Sequence, residues 1–291
     1  MWRQSVIGFC IGLGAGMTQK RKLDAASPGD PHDFAADGIE RQTLRMVEQA
    51  LRADRLMLAW QPVVVASEAA RTVFHEGLIR VLDETGRIIP ARDFMSAVET
   101  QDLGRLIDCA SLEKGLATLA RHPGLRLSIN MSARSIGHGR WMQILQGALR
   151  ADPNLGPRLI LEITESSAME VPELVLPFMD ALQRAGISFA LDDFGAGFTA
   201  FRYLKDFFFD IIKIDGQFIR NIHRDPDNQV LTQAMLSVGR HFDMLTVAET
   251  VETAEEAEWL RAAGVDCLQG YLFGRPCTQP AWQATGTRLI A

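Results

Sequence analysis

The residues most able to do chemistry fall at the ends of apolar runs. Ile187–Leu191 leads into two adjacent carboxylates, Asp192 and Asp193. A glycine-bearing loop, Phe194-Gly195-Ala196-Gly197-Phe198, follows, and a second run, Asp210–Ile214, delivers Lys213 and Asp215. Other runs repeat the pattern. Thr72–Leu82 carries Glu76 and Arg80, Arg126–Met131 carries Asn130, and Arg158–Thr164 carries Glu162 with Glu165 just beyond. Leu245–Glu249 ends on Glu249 with Glu252 in the next turn, and Asp266–Gln269 ends on Gln269. One acid after a strand is commonly a solvated turn residue, and Asn130 with Ser132 would serve as a helix cap. A polar group in the same relative place on successive strands argues instead for a shared site.

Several carboxylates in one mouth repel one another and resist ionisation. Divalent cations relieve that repulsion, and oxygen donors with one amide favour Mg²⁺ or Mn²⁺ over zinc. Asp192-Asp193 would bridge two metals, and two ions about 3.5–4 Å apart suit phosphate-ester hydrolysis. Arg80 offers a fork that matches phosphate oxygens. A second chemistry fits the same residues: acids and a lysine around one Mg²⁺, abstracting a proton next to a carboxylate as in enolase-type barrels. Metal number and substrate separate the two.

The elements that would position these groups alternate along the chain. Helical spacing of Ile39, Leu44, Val47 and Leu51 predicts a helix to about Arg55. Leu56–Val65 and Thr72–Leu82 read as strands paired in a hairpin. Strands then alternate with helices, including Ala91–Arg121 broken near Gln101, Arg134–Arg150, Val171–Ala185, a short helix near Ala200–Phe207, Phe218–Phe242 and Ala254–Ala263. Such alternation means parallel strands with right-handed crossovers. Residues 38–285 have the length of a TIM-type (β/α)8 barrel, typically ~250 residues, here with an antiparallel first strand. An open doubly wound sheet competes, but no GxGxxG follows the early strands.

Composition sets the outer bounds. Of 291 residues, 47% are apolar and 23% charged, which is ordinary for a globular chain. A net charge of -6 argues against a surface for nucleic-acid polymers. The four scattered cysteines form no CxxC pair, so a reducing cytoplasm fits best. The histidines form no HExxH motif, and His75 reads as structural. Val6–Met17 is too short and too glycine-rich for a stable membrane span, which needs about 20 apolar residues. A signal peptide and an over-extended start before Met17 are weaker readings. Residues 1–37 are expected to be a disordered tail and linker.

Taken together, the motifs resemble the EAL domain, the cyclic di-GMP-specific phosphodiesterase family of bacteria. The signature stands here as Glu76-Gly77-Leu78. Matching segments are Ser128–Ser132, Leu161–Ser166, Leu191–Phe198, Ile212–Asp215, Val247–Thr253 and Gln269–Pro276. The resemblance implies that Glu76, Asn130, Glu162 and Asp192 hold a first metal, and that Asp192 and Asp193 hold a second with Glu249 close by. It implies that Lys213 positions the attacking water and that Glu249 is the general base. Glu165 would anchor the Asp193–Thr199 loop and link it to a homodimer interface. Arg80, Glu252 and Gln269 would complete the pocket, Gln61 would lie near the substrate base, and the product would be linear pGpG. Asp215 joins Glu165 and Glu252 around the reacting groups.

The chain departs from the family at Gly77, which replaces alanine, and at Thr250, which replaces glycine. The loop reads FGAGFTAF where the family commonly has FGTGYSSL. Ala196, Phe198 and Ala200 therefore lack hydroxyls, which implies a looser loop and a lower rate. A β-branched Thr250 would be strained if the backbone there needs positive φ. None of these changes removes a metal ligand or the lysine. Phosphodiesterase activity is the leading reading, and a weakly active or inactive cyclic di-GMP-binding effector or protein-interaction module is the alternative.

Overall fold

The computed structural model describes residues 31–197 and 204–284. The chain divides into two compact units, Met1–Ile39 and Glu40–Ala291. Of the first unit, only the opening of helix α1 (Pro31–Arg52) is described. That helix begins at Pro31, inside the stretch expected to be linker, where a proline's missing N–H is harmless. Residues 1–30 and the short helix expected near Ala200 lie outside the described residues, apart from the part of the latter at Leu204 and beyond.

The second unit is a closed barrel. Its strands are β1 (Leu56–Val65), β2 (Glu68–Leu82), β4 (Leu127–Asn130), β5 (Leu159–Thr164), β6 (Ser188–Phe194), β7 (Ile211–Ile214), β8 (Leu245–Ala248) and β9 (Cys267–Gln269). They follow the order β1-β9-β8-β7-β6-β5-β4-β2, and a β1–β2 pairing closes the ring. β1 runs antiparallel to both neighbours, while the pairs from β2–β4 round to β8–β9 are parallel. The TIM-type architecture with an antiparallel first strand is therefore present. A short strand not anticipated from sequence, β3 (Ile88–Pro90), pairs with β2 at Arg80–Leu82 and lies outside the ring.

Most helices stand close to their expected places. α3 (Asp102–Arg121) follows a short α2 (Met95–Val98), with the break at Gln101. α4 (Gly139–Ala151), α5 (Glu165–Glu170) and α6 (Pro172–Gln183) cover the next crossovers. The long helix expected over Phe218–Phe242 is instead α7 (Gly216–Ile219), a 3-10 turn at Ile222–Arg224 and α8 (Pro226–His241). Asn221 breaks it at φ 56, and Pro226 restarts it with Asp225 accepting from the N–H groups of Asp227 and Asn228. Hydrophobic periodicity continued across this break because Ile219 and Ile222 are both buried. α9 (Ala254–Ala263) has a full capping box between Thr253 and Glu256 and ends on left-handed Gly264.

The main core lies between strands and helices, with Phe189, Leu191, Ile212, Ile214 and Leu236 fully buried. A smaller cluster of Val63, Phe74, Ile160, Ala190, Ile211, Val247 and Cys267 draws one residue from each of seven strands. In the sequence Phe207-Phe208-Phe209, Phe207 and Phe209 are core and stack at 5.4 Å, while Phe208 is 75% exposed.

Candidate active site

The small cluster explains how the polar groups come together. Side chains two apart on a strand share a face. Phe74 therefore sits beneath Glu76, Ile160 beneath Glu162, Ala190 beneath Asp192, Ile211 beneath Lys213 and Cys267 beneath Gln269. Val247 stands in the same relation to Glu249, just past β8. In antiparallel β1 the order reverses, so Gln61 precedes Val63. An apolar plug thus forms the floor, and a ring of polar residues covers it at the C-terminal ends of the parallel strands.

Lys213 is the centre of the ring, with its side chain 1% exposed. Its Nζ lies 2.7 Å from Glu249 Oε1, 2.8 Å from Glu162 Oε2, 2.9 Å from Asp192 Oδ1 and 3.6 Å from Glu76 Oε2. Burial alone would lower its pKa, but Asp192, Glu162, Glu249 and Glu76 outweigh burial and hold it well above the usual lysine range. Asn130 Nδ2 donates to Glu76 Oε1 at 2.8 Å, and Gln269 Nε2 donates to Glu76 Oε2 at 2.5 Å. Burial works to raise Glu76, yet Lys213 and these two amides keep it below the ordinary glutamate value. Gln269 Nε2 also reaches Gln61 Oε1 at 3.3 Å, and Gln61 Nε2 donates to the Gly274 carbonyl.

One lysine cannot neutralise this many acids. Burial pushes Glu162 up to about 8, with Glu76 and Asp192 adding to the rise, and pushes Glu249 up as well. Desolvation and the Asp192 charge raise Asp193 to about 6. Carboxylate oxygens of Glu76, Glu162 and Asp192 lie within 4.8 Å of one another, as do those of Asp192, Asp193 and Glu249. Glu162 Oε1 is buried with no hydrogen-bond partner. An orphaned, desolvated carboxylate oxygen in a set of hard donors fits a divalent cation such as Mg²⁺ or Mn²⁺. Asp192 is common to both groups.

The neighbouring residues have mainly positioning contacts. Glu165 is buried, and its Oε2 accepts from Gly195 N–H at 2.9 Å, holding the start of the loop after β6. Asp215 accepts from Gln217 N–H and caps α7. Glu252 lies at the rim and exposes its side chain. A cleft of about 620 Å³ above the ring is lined by Gln61, Glu76, Arg80, Asp192, Asp193, Glu249, Glu252 and Gln269 among others. Thr250, also in this wall, has φ 56, the left-handed conformation expected to strain it. His75 accepts from Trp282 Nε1 at 3.1 Å, away from these groups.

Residues not singled out from sequence join them. Arg92, Arg220 and Tyr271 line the same cleft. Arg220 was hidden inside the expected long helix. Asp108 lies with Asn130 and Ser132 in an adjoining recess of about 410 Å³. Its Oδ2 accepts from Ser135 Oγ at 2.5 Å and Ser132 N–H at 3.0 Å. The available signal was a carboxylate among Ile107, Cys109 and Leu112, on a helix whose apolar residues are buried.

A barrel with buried acids around a lysine at its C-terminal mouth defines a class of active site suited to cation-assisted chemistry. Residues 44–276 match the EAL domain, and the chain belongs to that family. It is 30% identical over 234 residues to a cyclic di-GMP phosphodiesterase of Shewanella oneidensis, covering 79% of this chain and 27% of that protein. The structure of the PaMucR phosphodiesterase in complex with c-di-GMP superposes with a TM-score of 0.72 at 31% identity, covering 84% of this chain and 99% of that one. The Klebsiella pneumoniae protein BlrP1, in a manganese and cyclic di-GMP complex, gives a TM-score of 0.67 at 31% identity, covering 77% and 56% of the two chains. The chain spans well under half the length of the Shewanella relative. No described helix is long and apolar enough to cross a membrane.

Proposed function

We propose that this chain hydrolyses cyclic di-GMP to linear pGpG, acting in the cytoplasm as a homodimer with two Mg²⁺ or Mn²⁺ ions per active site. The observation that carries this reading is Lys213, buried with its Nζ within 4 Å of Glu76, Glu162, Asp192 and Glu249. Glu76, Asn130, Glu162 and Asp192 would hold one ion. Asp192 and Asp193 would hold the other, with Glu249 close to it. Divalent cations there supply Lewis-acid stabilisation for charge developing on the phosphate oxygens.

The chain's own groups do the rest. Lys213 orients the attacking water with an ammonium that its carboxylate neighbours keep protonated. Glu249 takes a proton from that water as general base; the burial and neighbouring carboxylates that raise its pKa would be offset by cations in the site, leaving it ionised for that role. Arg80 presents its fork to the phosphate under attack. Gln61 and Gln269, bonded to each other, steady the substrate end beside β1. Glu165 holds Gly195 and so the loop that follows Asp193, and this is the route by which a dimer interface would reach the site. Asp215 fixes the turn after Lys213 by capping α7, and Glu252 completes the rim of the pocket beside Glu249.

Incubation with cyclic di-GMP and Mg²⁺ or Mn²⁺, followed by chromatography, tests the reading through the appearance of pGpG. Binding without turnover would instead favour an effector, a role consistent with the missing hydroxyl at Ala196.

A further inference from the structure

The wall of the cleft built by the loops after β7 and β8 presents an arginine that the catalytic roles leave unused. Arg220 follows α7 and lines the cleft with Asp193, Glu249, Thr250 and Glu252. Its neighbour Asn221 has φ 56 and donates its N–H to Glu256 Oε1 at 2.8 Å. The other oxygen of that buried carboxylate accepts from Glu252 N–H at 2.9 Å and Thr253 N–H at 3.0 Å. One glutamate therefore ties the chain beyond Arg220 to the loop beyond Glu249. At the opposite end of α7, Thr250 rests on Gly216, where a Cβ would come within 2.4 Å of Thr250 Oγ1. The two loops form one clasped wall, with Arg220 at its rim.

Three arginines line the cleft, and they differ in what they already hold. Arg80 is half-buried and donates to the Ile79 carbonyl at 2.9 Å. Arg92 Nε lies 3.5 Å from Asp93 Oδ1. Arg220 has no ion pair and no side-chain hydrogen bond among the described residues. The strand order places β7 opposite β2, with three strands between them in either direction round the ring. Arg80 and Arg220 thus stand on opposite sides of the mouth, with the acids and Lys213 between them.

We infer that Arg220 binds the second phosphodiester of the substrate, the one not being cleaved. The inference rests on the cyclic di-GMP reading. A cyclic dinucleotide carries two phosphodiesters, and only one can lie in the Lys213 cluster. The other lies outside that carboxylate-rich cluster, where a cationic side chain would match its charge. Arg80 stands beside Glu76 and serves the phosphate under attack. Arg220 is exposed, uncommitted and fixed by its backbone, and its fork matches a phosphate with two parallel donors.

Steady-state kinetics on Arg220→Gln and Arg220→Lys test this, with cyclic di-GMP and the single-phosphate diester bis(p-nitrophenyl) phosphate as substrates. The expected result for Arg220→Gln is a KM for cyclic di-GMP raised about tenfold with kcat within about twofold, as for a lost charge-assisted contact. Its kcat/KM for bis(p-nitrophenyl) phosphate and its melting temperature stay at wild-type values, and Arg220→Lys recovers part of the lost affinity. An unchanged KM overturns the inference. So does an equal loss on both substrates, a lower melting temperature, or a lysine no better than glutamine. If the wild-type protein shows no turnover, the activity reading falls separately, and direct binding of cyclic di-GMP decides. A tenfold weaker Kd in Arg220→Gln then supports the contact, and an unchanged Kd overturns it.

Discussion

The indole of Trp60 occupies space that a side chain on Gly77 would need: Trp60 Cζ3 lies 2.8 Å from the position of a Cβ there. Ile129 Cδ1 is equally close, and it also crowds Gly115 at 2.7 Å. The glycine in the Glu76-Gly77-Leu78 signature is therefore matched to larger neighbours. Gly77→Ala is expected to destabilise the fold by about 1–3 kcal/mol through overpacking. Adding Trp60→Phe should recover a substantial part, because the two residues are in contact. Urea denaturation of the single and double variants measures this, and an unaffected Gly77→Ala would refute the packing account.

Thr250 holds φ 56 directly after Glu249. A β-branched residue in that region costs of order 1–3 kcal/mol unless its surroundings compensate. Thr250→Gly should therefore raise stability, by about 1 kcal/mol after the lost contact with Gly216 is counted. A thermal melt with a lower midpoint would show that packing on Gly216 exceeds the strain.

Asp108 gives stability a defined pH dependence. Burial raises its folded pKa to about 6, with bonds from Ser135 and Ser132 only partly opposing the rise. Its unfolded value is about 3.9, so between those values the folded state binds more protons. Asp108's contribution is then most favourable below pH 4 and is lost as pH rises to about 6, by roughly 3 kcal/mol. Asp108→Asn removes this dependence. Unfolding free energies from pH 4 to 7 should show the variant gaining on the wild type as pH rises, and parallel curves would contradict the assignment.

Metal binding should compete with protons. Glu162 is held at about 8 without metal, so it must lose a proton to become a ligand. Mn²⁺ affinity is expected to be roughly tenfold or more tighter at pH 8 than at pH 6. Glu162→Gln should lose most of the Mn²⁺-induced rise in melting temperature. Isothermal titration at the two pH values checks the first point and thermal shift the second; equal affinities or an intact shift would remove Glu162 from the metal site.

Much of the barrel was legible in the sequence because strand and helix periods alternate cleanly. β1 matches its expected bounds, and α9 does as well, since Thr253, Glu256 and Gly264 punctuate it. Most of the polar ring was legible because Asn130, Glu162, Asp192, Lys213, Glu249 and Gln269 stand at or near the ends of apolar strands, whereas Gln61 lies inside β1 and was legible only through the motif resemblance. The break at Asn221 was not, because Ile219 and Ile222 stay buried on both sides of it and mimic a continuous helix. Arg220 and Arg92 were missed for a related reason. Arginines in turns carry no period, and only the closed ring brings β2 and β7 to face each other across one cleft. At Thr250 the sequence reveals an unusual residue but not its φ.

The acids around Lys213 are proposed to serve phosphodiester hydrolysis. The direct measurement is turnover of cyclic di-GMP with Mn²⁺ by the wild type and by Lys213→Ala and Glu249→Gln, each shown to be folded by circular dichroism. The expected outcome is pGpG from the wild type and rates lower by about 10²-fold or more in both variants, the scale of a lost general base or water-positioning group. A folded wild-type protein that binds cyclic di-GMP and Mn²⁺ yet forms no pGpG, or variants that retain wild-type rates, would contradict it.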